Sequence, residues 1–362
     1  MFHSHFRQFR LLSGLVFATF LCVLPGVAQH GFASSGTQGG RSAPKPLYRD
    51  PVHDGAADPS LIWDRGGNRW LMFYTNRRAD LATADPKDVV WVHGTMIGIA
   101  ESKDGGTTWH YVGTAKLPYG QQDYTFWAPS LVWAKGLYHM FLTVVPGTFH
   151  NWNAPRQIVH LTSSDLVNWR FVSKLSLSSD RTIDPCILRL SNRHWRLWYK
   201  DERDHSYIHY ADSPDLNQWT PVGTAIFDRP SEGPVVFHFK GSLWLIVDAW
   251  DGLAVYRSTD ATHWIPQPNN LLAGAGLLPS DRSEGHHADV IVSNHRAFLF
   301  YFVQQGGPDE ATGVANAEHR SVLQVVEMKE EGGRLKADRN NPTFVLLAPD
   351  DLTQRHEMER AR

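Results

Sequence analysis

The chain has 362 residues, 20% of them charged, and a formal net charge of −2 at pH 7. This balance excludes the broad basic surface that nucleic acid or an anionic membrane needs, so we expect neither as a partner. The 14 tryptophans supply large flat side chains that suit both a core and the faces of sugars.

The first residues are typical of an export signal. Arg7 and Arg10 precede an apolar run over residues 11–24, and a small-x-small cleavage site ends at Ala28. The run is short for a membrane span. We therefore predict a signal peptide over residues 1–28, with an uncleaved anchor as the alternative. The mature protein is expected to be secreted or periplasmic, without stable membrane association.

The rest of the chain divides into a linker, one domain and a tail. Residues 29–46 are rich in Gly, Ser, Gln and Pro and predict a flexible linker. A catalytic domain is predicted over residues 47–350 and a charged tail over 351–362. Cleavage of the signal removes Cys22 and leaves only Cys186, so the fold has to be stable without a disulfide.

The domain contains an internal repeat. Five short segments begin with a small or charged residue and continue with apolar residues, and four of them carry proline at the same place. They are residues 57–62, 127–132, 183–188, 232–237 and 287–292. Each precedes a turn, a second strand rich in aromatic and branched residues, and a third strand. The first four third strands end in a Ser-x-Asp turn followed by tryptophan, which we interpret as structural.

Five units of four strands predict an all-β fold, a five-bladed β-propeller with four antiparallel strands per blade. A linear sheet sandwich is the alternative, but it does not account for five matching units. The fifth unit lacks the Asp/Trp turn. Its outer strand is predicted at residues 343–347, or else the stretch around Leu47 closes the ring.

The predicted pocket follows from the repeat. In a propeller the first strand of each blade lines the central channel, and all first strands enter from one face. The residues that begin these strands therefore meet; they are Asp58, Trp127, Asp184, Glu232 and His287. Three carboxylates are costly to bury without a purpose or a partner, which favours a catalytic pocket. The alternative is a set of ion pairs that only closes the ring.

These segments resemble glycoside hydrolase family 43, which consists of five-bladed propellers. The resemblance rests on Ala57-Asp58-Pro59, Trp127-Ala128-Pro129, Ile183-Asp184-Pro185, Ser231-Glu232-Gly233-Pro234 and Gly285-His286-His287. It implies that Asp58 is the general base, that Asp184 tunes the pKa of the acid and orients substrate, and that Glu232 is the general acid. It also implies that His287, or its neighbour His286, helps to hold a central Ca²⁺ or Na⁺ ion or a water. No other cofactor is expected.

The chemistry agrees with these roles. Glycoside hydrolysis needs one protonated and one ionised carboxyl group flanking the bond. We expect the charge of Asp184 to raise the pKa of Glu232 and keep it protonated. Asp58 lies on a distant blade, which leaves room for a water. This arrangement favours inversion, for which the two carboxyl groups stand roughly 6.5–9.5 Å apart.

Side chains at strand ends are candidates for substrate binding. They are Trp127, Trp250, Tyr74, Asn76, Arg77 and Glu202. The tryptophans offer flat faces to sugar rings, with a plain core position as the alternative. Glu202 lies in the charged run of residues 200–203, which alternatively forms a solvated ion-pair loop. No histidine spacing indicates a zinc site.

The leading functional hypothesis is a secreted, exo-acting, inverting glycosidase that removes arabinofuranosyl or xylosyl residues from plant polysaccharide. Its partner is an oligosaccharide or polysaccharide, and we expect a monomer. One alternative is a glycosidase for an uncommon sugar such as the anhydro-galactose of algal galactans. Another is a phosphorylase, which needs more basic residues than this pocket offers. The last is a non-catalytic sugar-binding propeller, which has no use for an acid–base pair.

Overall fold

The computed structural model of the chain describes residues 40–191, 194–305 and 317–349. Strands dominate these residues, and two short 3₁₀ helices lie at Val90–Val92 and Ala317–His319. The predicted signal peptide and charged tail lie outside the described residues. Within the described ranges, no helix is long and apolar enough to cross a membrane.

Five antiparallel sheets of four strands follow one another along this part of the chain. Blade one comprises β2 (Ala56–Asp64), β3 (Arg69–Asn76), β4 (Met96–Ser102) and β5 (His110–Thr114). Blade two comprises β6 (Thr125–Ala134), β7 (Leu137–Val145), β8 (Gln157–Ser163) and β9 (Trp169–Lys174). Blade three comprises β10 (Thr182–Ser191), β11 (His194–Asp201), β12 (Tyr207–Ser213) and β13 (Thr220–Ile226). Blade four comprises β14 (Glu232–Phe239), β15 (Ser242–Asp248), β16 (Leu253–Ser258) and β17 (Ile265–Pro266). Blade five comprises β18 (His286–Ser293), β19 (Arg296–Gln304), β20 (Ser321–Glu331) and β21 (Arg334–Ala337). The predicted five-bladed propeller is confirmed.

Apolar layers fill the spaces between neighbouring blades. The second strands are buried on both faces because each blade packs between two others, and their sequences are therefore almost continuously apolar. Large side chains on these strands are fully buried; among them are Trp70, Phe73, Phe141, Trp198, Trp244 and Phe298. Burial of each such side chain stabilises the fold by roughly 1.5–3 kcal/mol relative to an exposed position.

The Ser-x-Asp turns have the predicted structural role. In blade two the carboxylate of Asp165 accepts the amides of Val167 and Asn168 at 2.9 and 2.7 Å. The following Trp169 meets Phe73 of blade one edge to face, with ring centroids 6.1 Å apart. The turn therefore delivers a tryptophan into the layer between two blades.

Each first strand carries a bulge near its start, where the register shifts. In four blades the backbone there is left-handed, with φ of 49°, 44°, 58° and 54° at Asp58, Ala128, Asp184 and Gly233. This region costs a non-glycine residue on the order of 1 kcal/mol, so neighbours have to hold it. The amide of Ala128 donates to Thr75 Oγ1 of blade one at 2.8 Å, and the amide of Asp184 donates to Thr143 Oγ1 of blade two at 2.9 Å. Blades one and two thus fix the bulges of blades two and three.

The first strands β2, β6, β10, β14 and β18 contact one another in turn and close a ring around the channel. Side chains of one first strand accept amides of the next. Ser60 accepts the amide of Leu131 at 3.2 Å, and Cys186 Sγ accepts the amide of Val236 at 3.2 Å. Burial raises the pKa of the Cys186 thiol to about 12. This cysteine is therefore a structural acceptor rather than a reactive group.

Asp289 makes the same contact where blade five meets blade one. Its Oδ2 accepts the amide of Leu61 at 2.7 Å. We expect Asp289→Ala to lower the free energy of unfolding by roughly 1–3 kcal/mol, because it leaves a buried amide unpaired. Urea unfolding measures the loss. Asp289→Asn keeps an acceptor oxygen and should lower the free energy of unfolding by less. Equal losses for the two variants, or no loss for the alanine variant, would contradict the role of Asp289 in joining blade five to blade one.

The outer strand of blade five is not the predicted strand over residues 343–347. β21 forms a hairpin with β20 through Gly332 and Gly333, whose φ values of 60° and 76° suit a tight turn. Residues 344–345 instead form β22 (Phe344–Val345), which pairs with β1 (Arg41–Ser42) outside the blades. The Gly-Gly pair is the sequence signal for this hairpin.

Residues 40–46 of the predicted linker belong to the folded domain. Ala43 is buried, and its amide donates to the carbonyl of Thr343 at 2.8 Å. Tyr48 and Leu323 then exchange backbone hydrogen bonds of 3.1 and 2.9 Å at the outer edge of β20. The boundary at residue 46 is corrected because this stretch pairs with blade five before the chain enters blade one. It extends the edge of blade five without forming its outer strand.

Candidate active site

One mouth of the channel collects the starts of the first strands and the ends of the second strands. Antiparallel pairing requires this, since Ala56 pairs with Asn76 in blade one and Glu232 pairs with Asp248 in blade four. Side chains from both kinds of strand end therefore meet at this mouth.

Glu232 lies between a lysine and a tryptophan. Its Oε2 accepts Lys200 Nζ at 2.9 Å, and its Oε1 accepts the indole N–H of Trp250 at 3.0 Å. The Glu232 side chain is 28% exposed and Trp250 is 44% exposed, whereas Lys200 is buried. Burial raises the pKa of Glu232, but the charge and hydrogen bond of Lys200 outweigh burial and hold that pKa below its usual value. Glu232 is thus ionised at neutral pH.

Asp184 is buried beside Glu232. Its Oδ2 accepts the amide of Gly233, the residue after Glu232, at 3.1 Å. Burial raises the pKa of Asp184 to about 7; His287 opposes this shift and the charge of Glu232 adds to it. Below about pH 7 the Asp184–Glu232 pair therefore holds one proton, and Asp184 carries most of it.

The placement of this proton on Asp184 corrects the expectation that Glu232 is the protonated group. Asp184 was expected to raise the pKa of Glu232 and keep the glutamic acid protonated. Lys200 reverses the balance, because a buried ammonium 2.9 Å from the carboxylate stabilises its ionised form more than Asp184 destabilises it.

Asp58 faces an imidazole across the mouth. His287 Nδ1 lies 3.5 Å from Asp58 Oδ1, and the Asp58 side chain is 18% exposed. The imidazole packs against Gly233, where a Cβ would come within 2.5 Å of the ring. Burial lowers the pKa of His287, but Asp58, Asp184 and Glu232 together raise it above its usual value. The three carboxylates therefore favour the protonated form of His287, which lies beside Asp58.

The predicted cation ligands do not form a metal site. His286 is bonded through Nδ1 to Asp248 Oδ2 at 3.0 Å and stacks on Phe302, with ring centroids 5.0 Å apart. Across residues 40–191, 194–305 and 317–349, no group of three or more His, Cys, Asp or Glu side chains is arranged to hold a metal ion. Ca²⁺ takes six to eight oxygen ligands. These residues do not fit such an ion, and no step below uses one.

Tyr74 and Asn76, predicted to bind substrate, support the backbone instead. The Tyr74 hydroxyl donates to Asp50 Oδ2 at 2.5 Å, and Asn76 Nδ2 donates to the same oxygen at 3.1 Å. Both side chains are buried within blade one. The prediction is corrected because a second strand is covered on both faces, so these side chains fix the segment that precedes the blade.

Glu202, another predicted sugar ligand, is the centre of an ion cluster. Its Oε1 accepts Arg156 Nη1 at 3.1 Å, its Oε2 accepts Arg181 Nε at 3.2 Å, and Lys200 Nζ lies 3.7 Å away. The ion-pair alternative is therefore the one observed, and the cluster is largely buried rather than solvated. It positions Lys200 against Glu232.

Trp127 is covered by neighbours, and a second tryptophan near it is exposed. The Trp127 indole N–H donates to the carbonyl of Val92 at 2.6 Å, and the residue is 8% exposed. Trp152, whose ring lies 6.3 Å from that of Trp127, is 51% exposed. Arg156 and Arg181 both donate to the carbonyl of Trp152. Trp152 was missed, although a tryptophan inside a polar Asn-rich loop is a signal for an exposed aromatic.

Comparison with solved structures finds the same propeller in known glycoside hydrolases. A thermostable family-43 glycoside hydrolase superposes with a TM-score of 0.60 at 15% identity, covering 83% of this chain and 99% of its own. A GH43_1 enzyme from Xanthomonas citri complexed with xylotriose superposes with a TM-score of 0.58 at 14% identity, covering 85% of this chain and 96% of its own. An exo-1,5-alpha-L-arabinanase from a bovine ruminal metagenomic library superposes with a TM-score of 0.55 at 14% identity, covering 80% of this chain and 99% of its own.

No family model and no curated protein matches the sequence. At 14–15% identity these likenesses establish the fold, while activity has to be argued from the site. The chain shares the five-bladed β-propeller fold of the family-43 glycoside hydrolases.

Proposed function

We propose that this protein is a glycoside hydrolase that works by general acid–base catalysis with inversion. The observation that carries the proposal is a set of three carboxyl groups in unequal environments at one channel mouth. Glu232 is ionised against Lys200, Asp184 holds a proton up to about pH 7, and Asp58 is partly buried 3.5 Å from His287. Carboxyl groups of unequal pKa are what glycoside hydrolysis requires. The shared propeller fold supports the proposal.

Glu232 is the general acid in this proposal, and Asp184 supplies it with a proton. A sugar hydroxyl that moves between Lys200 and Glu232 weakens the ion pair and raises the pKa of Glu232 toward that of Asp184. The proton of the pair then shifts to Glu232, which donates it to the leaving oxygen. Trp250 holds the acid in place through its indole N–H at 3.0 Å.

Asp58 is the general base. Its Oδ1 lies 3.5 Å from Nδ1 of His287, whose pKa the surrounding carboxylates raise. It takes a proton from a water, and that water attacks the anomeric carbon on the face opposite the leaving group. The C–O bond to the leaving sugar breaks as the new C–O bond forms, so the anomeric configuration inverts.

We propose a secreted, exo-acting enzyme for arabinofuranosyl or xylosyl units. Two solved structures with this fold support that substrate class by their names, an exo-arabinanase and an enzyme complexed with xylotriose. The exposed rings of Trp152 and Trp250 suit stacking against sugars. The signal-like first 28 residues support export.

Product analysis tests this function. The mature protein is incubated with arabinan, xylan and algal galactan oligosaccharides and with nitrophenyl glycosides, and the released sugars are identified by chromatography. Release of single arabinose or xylose units is the expected result. Release of anhydro-galactose would replace the proposed sugar. No hydrolysis of any glycoside, with binding retained, would favour a sugar-binding propeller.

The pH dependence of activity tests the proton pair. The acid has to be protonated, so activity is expected to fall as pH rises through about 7, where the pair loses its proton. Lys200→Met removes the cation that lowers the pKa of Glu232 and should move this basic limb to higher pH. Asp184→Asn removes the negative charge that raises the same pKa and should move the limb to lower pH.

The exposed Lys240, on the turn after β14, supplies the matched control. Lys240→Met should leave the limb unchanged in profiles of kcat/KM against pH. Shifts of Lys200→Met and Asp184→Asn in the same direction would contradict the shared proton.

A further inference from the structure

Arg77 lies at the mouth of the site but takes no part in the chemistry described above. It follows β3, and its amide donates to the carbonyl of Gly55, three residues before Asp58, at 2.9 Å. Only 8% of the residue is exposed. Burial lowers the pKa of Arg77 to about 10, while the charges of Asp58 and Glu232 act to raise it. The guanidinium is therefore a buried cation within electrostatic reach of the catalytic carboxylates.

Two aromatic rings lie against this guanidinium. Its Cζ lies 4.7 Å from the ring centroid of Phe302 and 5.2 Å from that of Trp91. Trp91 stacks in turn on His319, with centroids 4.2 Å apart. Aromatic faces attract a cation but accept no in-plane hydrogen bond. The edge of the guanidinium is thus what remains for polar recognition.

That edge has no partner. Both Nε and Nη2 of Arg77 are buried, and neither has a hydrogen-bond acceptor within the described structure. Elsewhere the same two atoms form a fork that grips a carboxylate. Arg196 holds Asp212 at 2.6 and 2.8 Å, and Arg296 holds Glu327 at 2.9 and 2.7 Å.

The other cations of the site all have acceptors. Lys200 pairs with Glu232, Arg156 with Glu202, and His287 lies beside Asp58. Leaving two buried donors of a charged group unpaired is costly, and natural sites accept such a cost where a ligand completes the pairing. The empty fork of Arg77 therefore matches a planar anion brought by the substrate.

We propose that the pocket accepts a sugar that carries a carboxylate, a uronic acid unit or its equivalent, and that the Nε/Nη2 fork of Arg77 binds that carboxylate. The two parallel N–H groups match the two oxygens of a carboxylate. A change in the side-chain torsions of Arg77 would present the fork to the channel. This inference rests on the proposed glycosidase function, and it favours a sugar acid over the neutral arabinofuranosyl or xylosyl unit as the sugar that the pocket accepts.

Direct binding tests the inference without any turnover. Titration calorimetry at fixed ionic strength compares galacturonate and glucuronate with galactose and glucose. The wild-type protein is expected to bind the sugar acids roughly 10- to 100-fold more tightly than their neutral counterparts, the range for hydrogen bonds to a charged group. Arg77→Gln and Arg77→Lys should both lose this preference and keep the neutral affinities within about threefold. The lysine variant keeps the charge and the stacking stem, so its loss isolates the fork.

Arg203 provides the matched control. It lies just after β11, and its own Nε/Nη2 fork is already filled by Asp180 at 2.9 and 3.1 Å. Arg203→Gln removes the same charge and should leave the preference for sugar acids unchanged. Thermal unfolding verifies that each variant is folded. Sugar acids that bind no more tightly than neutral sugars, or equal losses for both classes in Arg77→Gln, would overturn the inference.

Hydrolysis of nitrophenyl uronides and of neutral nitrophenyl glycosides separates the inference from the function on which it rests. Tight binding of sugar acids without cleavage of any glycoside would contradict the proposed hydrolase function and would still support carboxylate binding by Arg77. Cleavage of neutral glycosides by a protein that shows no preference for sugar acids would contradict carboxylate binding by Arg77 and would be consistent with the hydrolase function.

Discussion

Glu232→Gln is expected to lower kcat/KM on an unactivated oligosaccharide by about 10²–10⁴-fold, because the amide has no proton to give to the leaving oxygen. The side chain keeps its size and retains an oxygen for the Trp250 indole N–H. On a dinitrophenyl glycoside, whose phenolate leaves without protonation, the loss should be much smaller. The ratio of the two losses, measured on one preparation, is therefore the readout for an acid.

The control for this variant removes a neighbour of the acid instead. Trp250→Phe keeps an aromatic ring but loses the hydrogen bond to Glu232 Oε1. It should cost far less than Glu232→Gln on the oligosaccharide. Equal losses of Glu232→Gln on both substrates would show that Glu232 contributes to binding and not to proton transfer.

The strands of this propeller could be read from the sequence wherever turn chemistry and apolar patterning agree. The third strand of blade three, β12, ends at Ser213, where the predicted Ser-x-Asp turn begins. The outer strand of blade five was missed because it is four residues long, without such a turn. The short pairing of β1 with β22 joins segments about 300 residues apart, and no local pattern specifies it.

The sequence predicted which residues form the site but not how these residues are protonated. The repeat brought Asp58, Asp184 and Glu232 to one mouth, because equivalent positions of a propeller meet by symmetry. The protonation of Asp184 and Glu232 depends on Lys200, and the spacing of residues along the chain does not reveal its 2.9 Å contact with Glu232 on the next blade. Tyr74 was misassigned because its hydroxyl points into the blade, toward Asp50. A side chain at a strand end can turn either way, and packing decides the direction.

Asp58→Ala is expected to lower turnover by about 10²–10⁴-fold on activated and unactivated substrates alike. Water has to be deprotonated whatever the leaving group is, so a better leaving group does not compensate for a lost base. The loss leaves His287 without its neighbouring carboxylate at 3.5 Å, while Glu232 keeps its contacts with Lys200 and Trp250. This pattern is the opposite of that for Glu232→Gln and separates the two roles.

Azide gives the same variant a stereochemical test. An anion that needs no base can take the position of water, so azide should restore turnover of Asp58→Ala and yield a glycosyl azide of inverted configuration. Proton NMR of the first product from the wild-type protein, read before mutarotation, should likewise show inversion. A retained sugar from the wild type would mean that Asp58 attacks carbon directly, with carboxyl groups about 5–5.5 Å apart. In that case azide would still enter opposite the leaving group and give the same inverted azide, so the configuration of the wild-type product decides between the two roles of Asp58.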